Sequence, residues 1–299
     1  MLYIGIDLGT SAVKLLLMNE AGQILNVVSR TYPLEFPRPG WSQQNPEDWR
    51  KAVWEGIPAL LEGFDRAQVA GIGAGGQMHG LVVLDEADRV IRPAILWNDG
   101  RTAQQVAYLN ETVGKDRLSA WTANIAFAGF TAPKLLWMRE NEPELFAEIK
   151  KIMLPKDYIN YLLTGVHSTD YSDASGTLLL DVAKRRWSEE MLELCGLRAE
   201  QMPRLFESYE TVGTLLPEAA RALGLPEELT PWDRKLLDAL EFPADWDGQT
   251  LMKNALELLN LIQDMALKDG SILGDRTGGT TAMDLALNTF TDGNLLFMY

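Results

Sequence analysis

The apolar positions at the start of the chain fall in three short runs, Leu2–Ile6, Val13–Met18 and Gln23–Thr31. Between them lie Asp7-Leu-Gly-Thr-Ser11 and Asn19-Glu-Ala-Gly22. Short runs broken at glycine-containing turns predict consecutive β-hairpins. A loop punctuated by Pro33, Pro37 and Pro39 follows, and the period then changes. Trp49, Val53, Ile57, Leu60, Leu61 and Phe64 recur at helical spacing. Asn45 is placed to cap that helix, with Pro46 at its first position and Glu47 and Asp48 in its first turn.

Residues 69–97 return to strand character in three runs, Val69–Ala74, Leu81–Leu84 and Val90–Leu96. The pattern then predicts one helix from Asp99 through about Val113 and another over Lys134–Glu140. Strands, a helix, then more strands and helices predict an α/β fold with a mixed sheet. Beyond about Leu225 the character shifts to a mainly helical tail, at Asp233–Leu240 and Thr250–Leu267, followed by a Gly/Thr-rich stretch, Gly278-Gly-Thr-Thr281. The expected organisation is therefore residues 1–225 as one lobe and 226–299 as a separate tail.

Composition narrows the function. The chain has 299 residues, 46% of them apolar, and a formal net charge of -15. That charge opposes a phosphate-backbone partner, so no nucleic-acid binding is expected. A lone cysteine, Cys195, precludes an internal disulfide, and no apolar run is long enough to span a bilayer. The start meets an acid at Asp7 and lacks a basic leader. The expectation is a soluble, cytoplasmic protein acting on a small molecule.

Polar residues cluster where apolar runs end. In Asp7-Leu-Gly-Thr-Ser11, Gly9 lets a phosphate approach the backbone, Thr10 and Ser11 offer donors, and Asp7 could hold a magnesium ion through water. The plain alternative is a hairpin turn. Gly71-Ile-Gly-Ala-Gly-Gly76 satisfies G-x-G-x-x-G, but strand rather than helix follows it, so the glycines serve close packing instead of a dinucleotide. Gln77-Met78-His79 leaves that strand as a glycine-flanked polar triplet, a usual way to present ligand contacts at a sheet edge. Asn98, Asp99 and Arg101 close another run; they suit a polyol, but equally a helix cap and an ion pair. With two histidines in all, a His-rich metal site is excluded, and His167 has no partner pattern. Asp170-Tyr-Ser-Asp-Ala-Ser-Gly176 departs from a calcium loop at Ala174, Ser175 and Asp181 and is read as a turn. Cys195 has no paired base.

Several segments in order carry a family resemblance: Tyr3–Ser11, Gly40-Trp-Ser-Gln-Gln-Asn-Pro-Glu-Asp-Trp49, Gly76–Gly80 and Ile95–Arg101. Gly129-Phe-Thr-Ala-Pro-Lys-Leu-Leu-Trp-Met-Arg-Glu-Asn141, Pro155-Lys-Asp-Tyr158 and Thr169–Thr177 complete the set. From Met1 to about Leu225 the chain resembles the FGGY carbohydrate kinases, and within them the xylulose kinases. The resemblance implies a ribonuclease-H-like, actin-type lobe and ATP-dependent phosphorylation of D-xylulose with magnesium. It implies that Asp7, Thr10, Ser11 and Lys14 face the phosphates and metal, and that Met78 and His79 contact the ketose. Asn98, Asp99 and Arg101 would line or support that pocket.

The resemblance also implies a Gly-Gly-x-Asp-Asn-type loop whose aspartate is the general base. Pro226-Glu-Glu-Leu-Thr-Pro-Trp-Asp-Arg234 does not resemble it, and no tail aspartate (Asp233, Asp238, Asp245, Asp247, Asp275) has that setting. The base is therefore assigned to no residue. The ATP-binding lobe is expected to be absent, with little or no turnover by this chain alone and a face open to self-association. A non-catalytic sugar-binding lobe, an inactive gene remnant, or another ketose or polyol as substrate are the competing readings.

Overall fold

The computed structural model describes residues 1–226, all within the unit Met1–Ala239; the second unit, Leu240–Tyr299, lies outside the described residues. So do the helices expected at Asp233–Leu240 and Thr250–Leu267, the Gly278–Thr281 stretch and the tail aspartates.

The expected hairpins form β1 (Leu2–Leu8), β2 (Ala12–Asn19) and β3 (Ile24–Thr31). After the two-residue strand β4 (Gln43–Gln44), helix α1 (Pro46–Leu60) begins, with the Asn45 side chain accepting from the Glu47 N–H. Strand β5 (Val69–Gly76) then inserts beside β1, giving the sheet order β3-β2-β1-β5. β1 pairs antiparallel with β2 and parallel with β5, so the sheet is mixed as predicted. The glycines of β5 allow close packing. A Cβ on Gly76 would lie 2.6 Å from Leu8 Cβ.

Strands β6 (Val82–Leu84), β7 (Ala94–Ile95) and β8 (Lys151–Met153) add short ladders, β4 with β7 and β6 with β8. The run Val90–Leu96 is thus only partly strand. Pro93 has no N–H to give a ladder, and Val90 makes an isolated bridge to Leu84. The helix expected from Asp99 to Val113 is also interrupted: α2 (Ala103–Ala107) passes into a π-helical stretch at Tyr108–Gly114 and then α3 (Lys115–Thr122). Gly114, at φ 99°, separates the last two.

Next come α4 (Thr131–Asn141), α5 (Pro143–Glu148) and α6 (Pro155–Thr164), the last stopped by Gly165 at φ 71°. β9 (Ser168–Asp170) leads into α7 (Tyr171–Ser175). The segment read as a turn is therefore a short helix, capped by the Asp170 carboxylate on the Asp173 N–H. β10 (Leu180–Asp181), β11 (Arg186–Trp187), α8 (Glu189–Cys195), β12 (Arg204–Phe206) and α9 (Pro217–Leu223) complete the described chain.

Two cores result. One lies among β1, β2, α1, α6 and α9; the other gathers α3, α4 and α8 with Ile95 and Ile152. Alternation along β6 joins them: Val82 and Leu84 enter the first core, Leu81 and Val83 the second. Trp49, fully buried in the first core, anchors α1, and its truncation to alanine would cost about 3–5 kcal/mol.

Candidate active site

The register of the central strands decides where the polar residues gather. Leu8 is opposite Gly76 in the parallel β1–β5 pair, so the Gly9–Ser11 turn and the Gln77–His79 triplet leave the sheet at the same edge. The Gln77 N–H donates to the Leu8 carbonyl at 2.8 Å, which closes the two exits together.

On the β1 side, the Gly9 N–H donates to the Ala12 carbonyl at 3.0 Å, and a Cβ on Gly9 would lie 2.9 Å from that oxygen. Only a glycine fits without displacement. The Tyr32 hydroxyl donates to the Gly9 carbonyl, and burial, then the nearby Asp7 charge, push its pKa upward. Asp7 and Lys14 pair across the β1–β2 ladder. Partial burial raises the Asp7 carboxyl above its ordinary value while the Lys14 charge opposes that shift. Thr10 Oγ1 accepts from the Trp97 indole at 3.0 Å, although Trp97 keeps 44% of its surface exposed. Ser11 and Asn98 are exposed.

On the β5 side, His79 is the central residue of a three-residue turn, with Gly80 N–H donating to the Met78 carbonyl at 2.7 Å. Its φ is 60°, a region costly for a residue with a Cβ. The turn is held from outside. Lys134, 0% exposed, donates through Nζ to the carbonyls of His79 (3.0 Å), Phe130 (3.1 Å) and Gly129, and Thr131 Oγ1 donates to His79 O at 3.1 Å. Three carbonyl acceptors match the three donors of an ammonium group, while burial pulls the Lys134 pKa down to about 7.

The His79 ring lies tilted at 47° to Phe130, centroids 4.9 Å apart, and sits against Gly176, where a Cβ would lie 2.3 Å from Cε1. Burial, then the Lys134 charge, lower its pKa to about 4 against an opposing backbone contact at Gly176, so the imidazole is neutral at pH 7. Its Nδ1 is buried with no hydrogen-bond partner among the described residues, and so is Gln77 Oε1. A neutral imidazole with an unmatched nitrogen can donate from one ring position and accept at the other, which suits a hydroxyl-rich ligand.

Asp99 and Arg101 are placed differently. Their side chains are both 0% exposed and bind each other, Asp99 Oδ1 to Arg101 Nε at 2.9 Å and Oδ2 to Nη2 at 2.8 Å. The Ser42 N–H donates to Asp99 Oδ2 at 2.6 Å, and the guanidinium lies 4.0 Å from the Trp41 ring. Neither the carboxylate nor the guanidinium is exposed, and each is committed to the other. The ion-pair alternative weighed for Arg101 is the one realised, though buried rather than at the surface.

Sequence reasoning missed three residues that shape this edge: Lys134, Trp97 and Gln44. Each sat inside a motif, but the partner that ties it to this edge is far along the chain; Lys134 to His79, Trp97 to Thr10 and Gln44 to Gln77 span 55, 87 and 33 residues.

Comparison with known proteins agrees with the arrangement. Residues 2–243 match the N-terminal domain of the FGGY family of carbohydrate kinases. The chain is 48% identical over 224 residues to the xylulose kinase of Escherichia coli (strain K12), covering 75% of this chain and 46% of that protein. It is 46% identical over 227 residues to the xylulose kinase of Bacillus subtilis (strain 168), covering 75% and 45%. The crystal structure of xylulose kinase from Rhodospirillum rubrum superposes with a TM-score of 0.75 at 28% identity, over 78% of this chain and 48% of that one. The chain thus spans about half the length of the relatives it matches. With its mixed sheet, its glycine turn and its His79 edge, the chain belongs to the FGGY family of carbohydrate kinases, in the N-terminal domain of that family.

Proposed function

We propose that this chain carries the sugar side of the active site of an ATP-dependent ketose kinase whose acceptor is D-xylulose. The observation that carries the reading is the shared edge. The Gly9–Ser11 turn and the Gln77–His79 triplet emerge from adjacent parallel strands, where α/β sheets bind ligands beyond the strand ends. The relatives' names supply the sugar, since those compared are xylulose kinases.

Met78 and His79 contact the ketose, with the neutral His79 imidazole exchanging hydrogen bonds with its hydroxyls. Asn98 stands at the exposed rim, while Asp99 and Arg101 hold the strand exit in place. Asp7, Thr10, Ser11 and Lys14 face the nucleotide phosphates. The residues fit a magnesium ion that relies on phosphates and water: Asp7 offers one carboxylate at the strand end. No cluster of three or more His, Cys, Asp or Glu forms a dedicated cage among the described residues. When bound, Mg-ATP supplies the phosphoryl group, and the cation neutralises charge on its oxygens. The contribution of this chain is positioning: it orients the acceptor hydroxyl toward the turn and excludes water on the His79 side. No described residue is assigned as the general base.

Calorimetric titration of the chain with D-xylulose, with and without Mg-ATP, tests the reading. It predicts saturable binding that His79→Ala weakens at least about tenfold, or ~1.4 kcal/mol. Binding of D-xylulose unaffected by His79→Ala would refute the assignment of the triplet to the sugar.

A further inference from the structure

Gln44 is 1% exposed, and all of its amide hydrogen-bonding capacity is matched. Nε2 donates to the Thr10 carbonyl at 2.7 Å and to the Pro33 carbonyl at 3.1 Å. Oε1 accepts from Trp49 Nε1 at 3.1 Å and from Gln77 Nε2 at 3.1 Å. The orientation of the amide is forced, because an indole nitrogen can only donate and a backbone carbonyl can only accept. Asparagine is one methylene too short to reach the same four partners, and glutamate, even when protonated, carries only one donor for the two carbonyls.

Those partners lie in four separate parts of the lobe: the Gly9–Ser11 turn, the loop after β3, helix α1 and the exit of β5. The backbone of Gln44 is itself pinned. β4 pairs with β7 on one side, Gln44 opposite Ala94, and Gln43 bridges Glu35 on the other. Alternation along β4 sends Gln43 the opposite way, where its Oε1 accepts from Arg92 and Arg101. Gln44 is therefore a fixed node between the two polar exits of the sheet, and of the Gln77 amide bonded to it, Oε1 is left buried without a partner.

We propose that Gln44 is the positioning residue that holds the Thr10 turn and the Gln77–Met78–His79 triplet in one register, so that the two sides of the cleft move as a unit. That these are the phosphate and sugar sides rests on the function proposed above; the mechanical link does not.

The test is hydrogen exchange of the tryptophan indole N–H groups in the chain, compared between wild type, Gln44→Glu and Gln44→Met. Trp97 is the reporter of the turn, because its indole donates to Thr10 Oγ1 and makes no bond to Gln44. Trp49 reports the acceptor side of the amide, and Trp187, bonded to the Pro203 carbonyl at 2.9 Å, reports the remainder of the fold. Gln44→Glu keeps an acceptor for Trp49 and Gln77 and removes at least one of the two donors. It is expected to speed Trp97 exchange about tenfold while leaving Trp49 and Trp187 protected. Gln44→Met is expected to release Trp49 as well. Trp97 protection unchanged in both variants would overturn the proposal. Loss of Trp187 protection in both would overturn it too, since the amide would then hold the whole lobe and not the turn. A second arm adds D-xylulose: amide resonances of Thr10 and Ser11 should shift in wild type and stay still in Gln44→Glu. Wild type that binds no D-xylulose sinks the sugar reading and leaves the exchange result to decide the role of Gln44.

Discussion

The two histidines occupy regions that treat polar atoms in opposite ways. His167 Nε2 is 2.8 Å from the Ile152 carbonyl, and Tyr161 packs edge-on to its ring. His79 stands at φ 60° with a buried Nδ1 that makes no well-formed hydrogen bond among the described residues, its ring having only a backbone contact at Gly176. Buried polar atoms are nearly always paired, so a strained residue with capacity left over marks a place prepared for something else. The His167 pattern is the commoner one here. Asp99 is matched by Arg101 Nε and Nη2, although Arg101 Nη1 is left without a partner among the described residues, and the Lys156 ammonium lies 2.7 Å from Asp157, 2.7 Å from Asp170 and 3.1 Å from Asp173. Those groups are committed to one another within the fold, while the His79 turn keeps hydrogen-bonding capacity to spare.

The largest effect is expected at the Lys156 cluster. Lys156→Met leaves three carboxylates without their shared cation, and the loss of stability in urea unfolding should be about 3–5 kcal/mol. A loss under ~1 kcal/mol would show that the cluster is not structural. Lys134→Met comes next. It strips the donor from the Gly129, Phe130 and His79 carbonyls, at an expected cost of about 1–3 kcal/mol, and should weaken sugar binding by freeing the strained turn.

Acid sharpens the contrast more gently. Both histidines have lowered pKa values, chiefly through burial, His79 to about 4. The unfolded chain takes up these protons first, near its ordinary value of about 6.5. The associated stability is therefore complete above that value and declines as pH falls through the folded values. His79→Asn, whose side chain tolerates positive φ, should flatten part of the pH dependence of thermal melting between 6.5 and 4. At pH 7 the same variant should change stability by less than ~1 kcal/mol, the smallest effect of the series.

The sequence and the structure agree chiefly where the signal is local. The hairpins, the Asn45 cap with Pro46 behind it and the rejection of Gly71–Gly76 as a dinucleotide loop rest on neighbours within a few residues, and each reappears in the fold. The Asp170 segment and the Asp99-to-Val113 helix went otherwise, through an unforeseen capping bond and a π-helical stretch ended at Gly114. Long-range bonds were not legible. Nothing near Lys134 in sequence announces that it supports His79, and Gln44 reads as one polar residue of a motif until its four partners converge. Asp99 and Arg101 had both possibilities open, because a pair of charges at a strand exit looks alike whether it meets a ligand or itself.

A sugar bound by this lobe is expected to meet the spare hydrogen-bonding capacity at His79. The direct measurement is the nitrogen-15 spectrum of the two imidazole rings during titration of the chain with D-xylulose at pH 7. The prediction is a saturable shift of the His79 ring nitrogens with His167 unchanged. Binding that leaves His79 silent, or that moves His167 in its place, would contradict it.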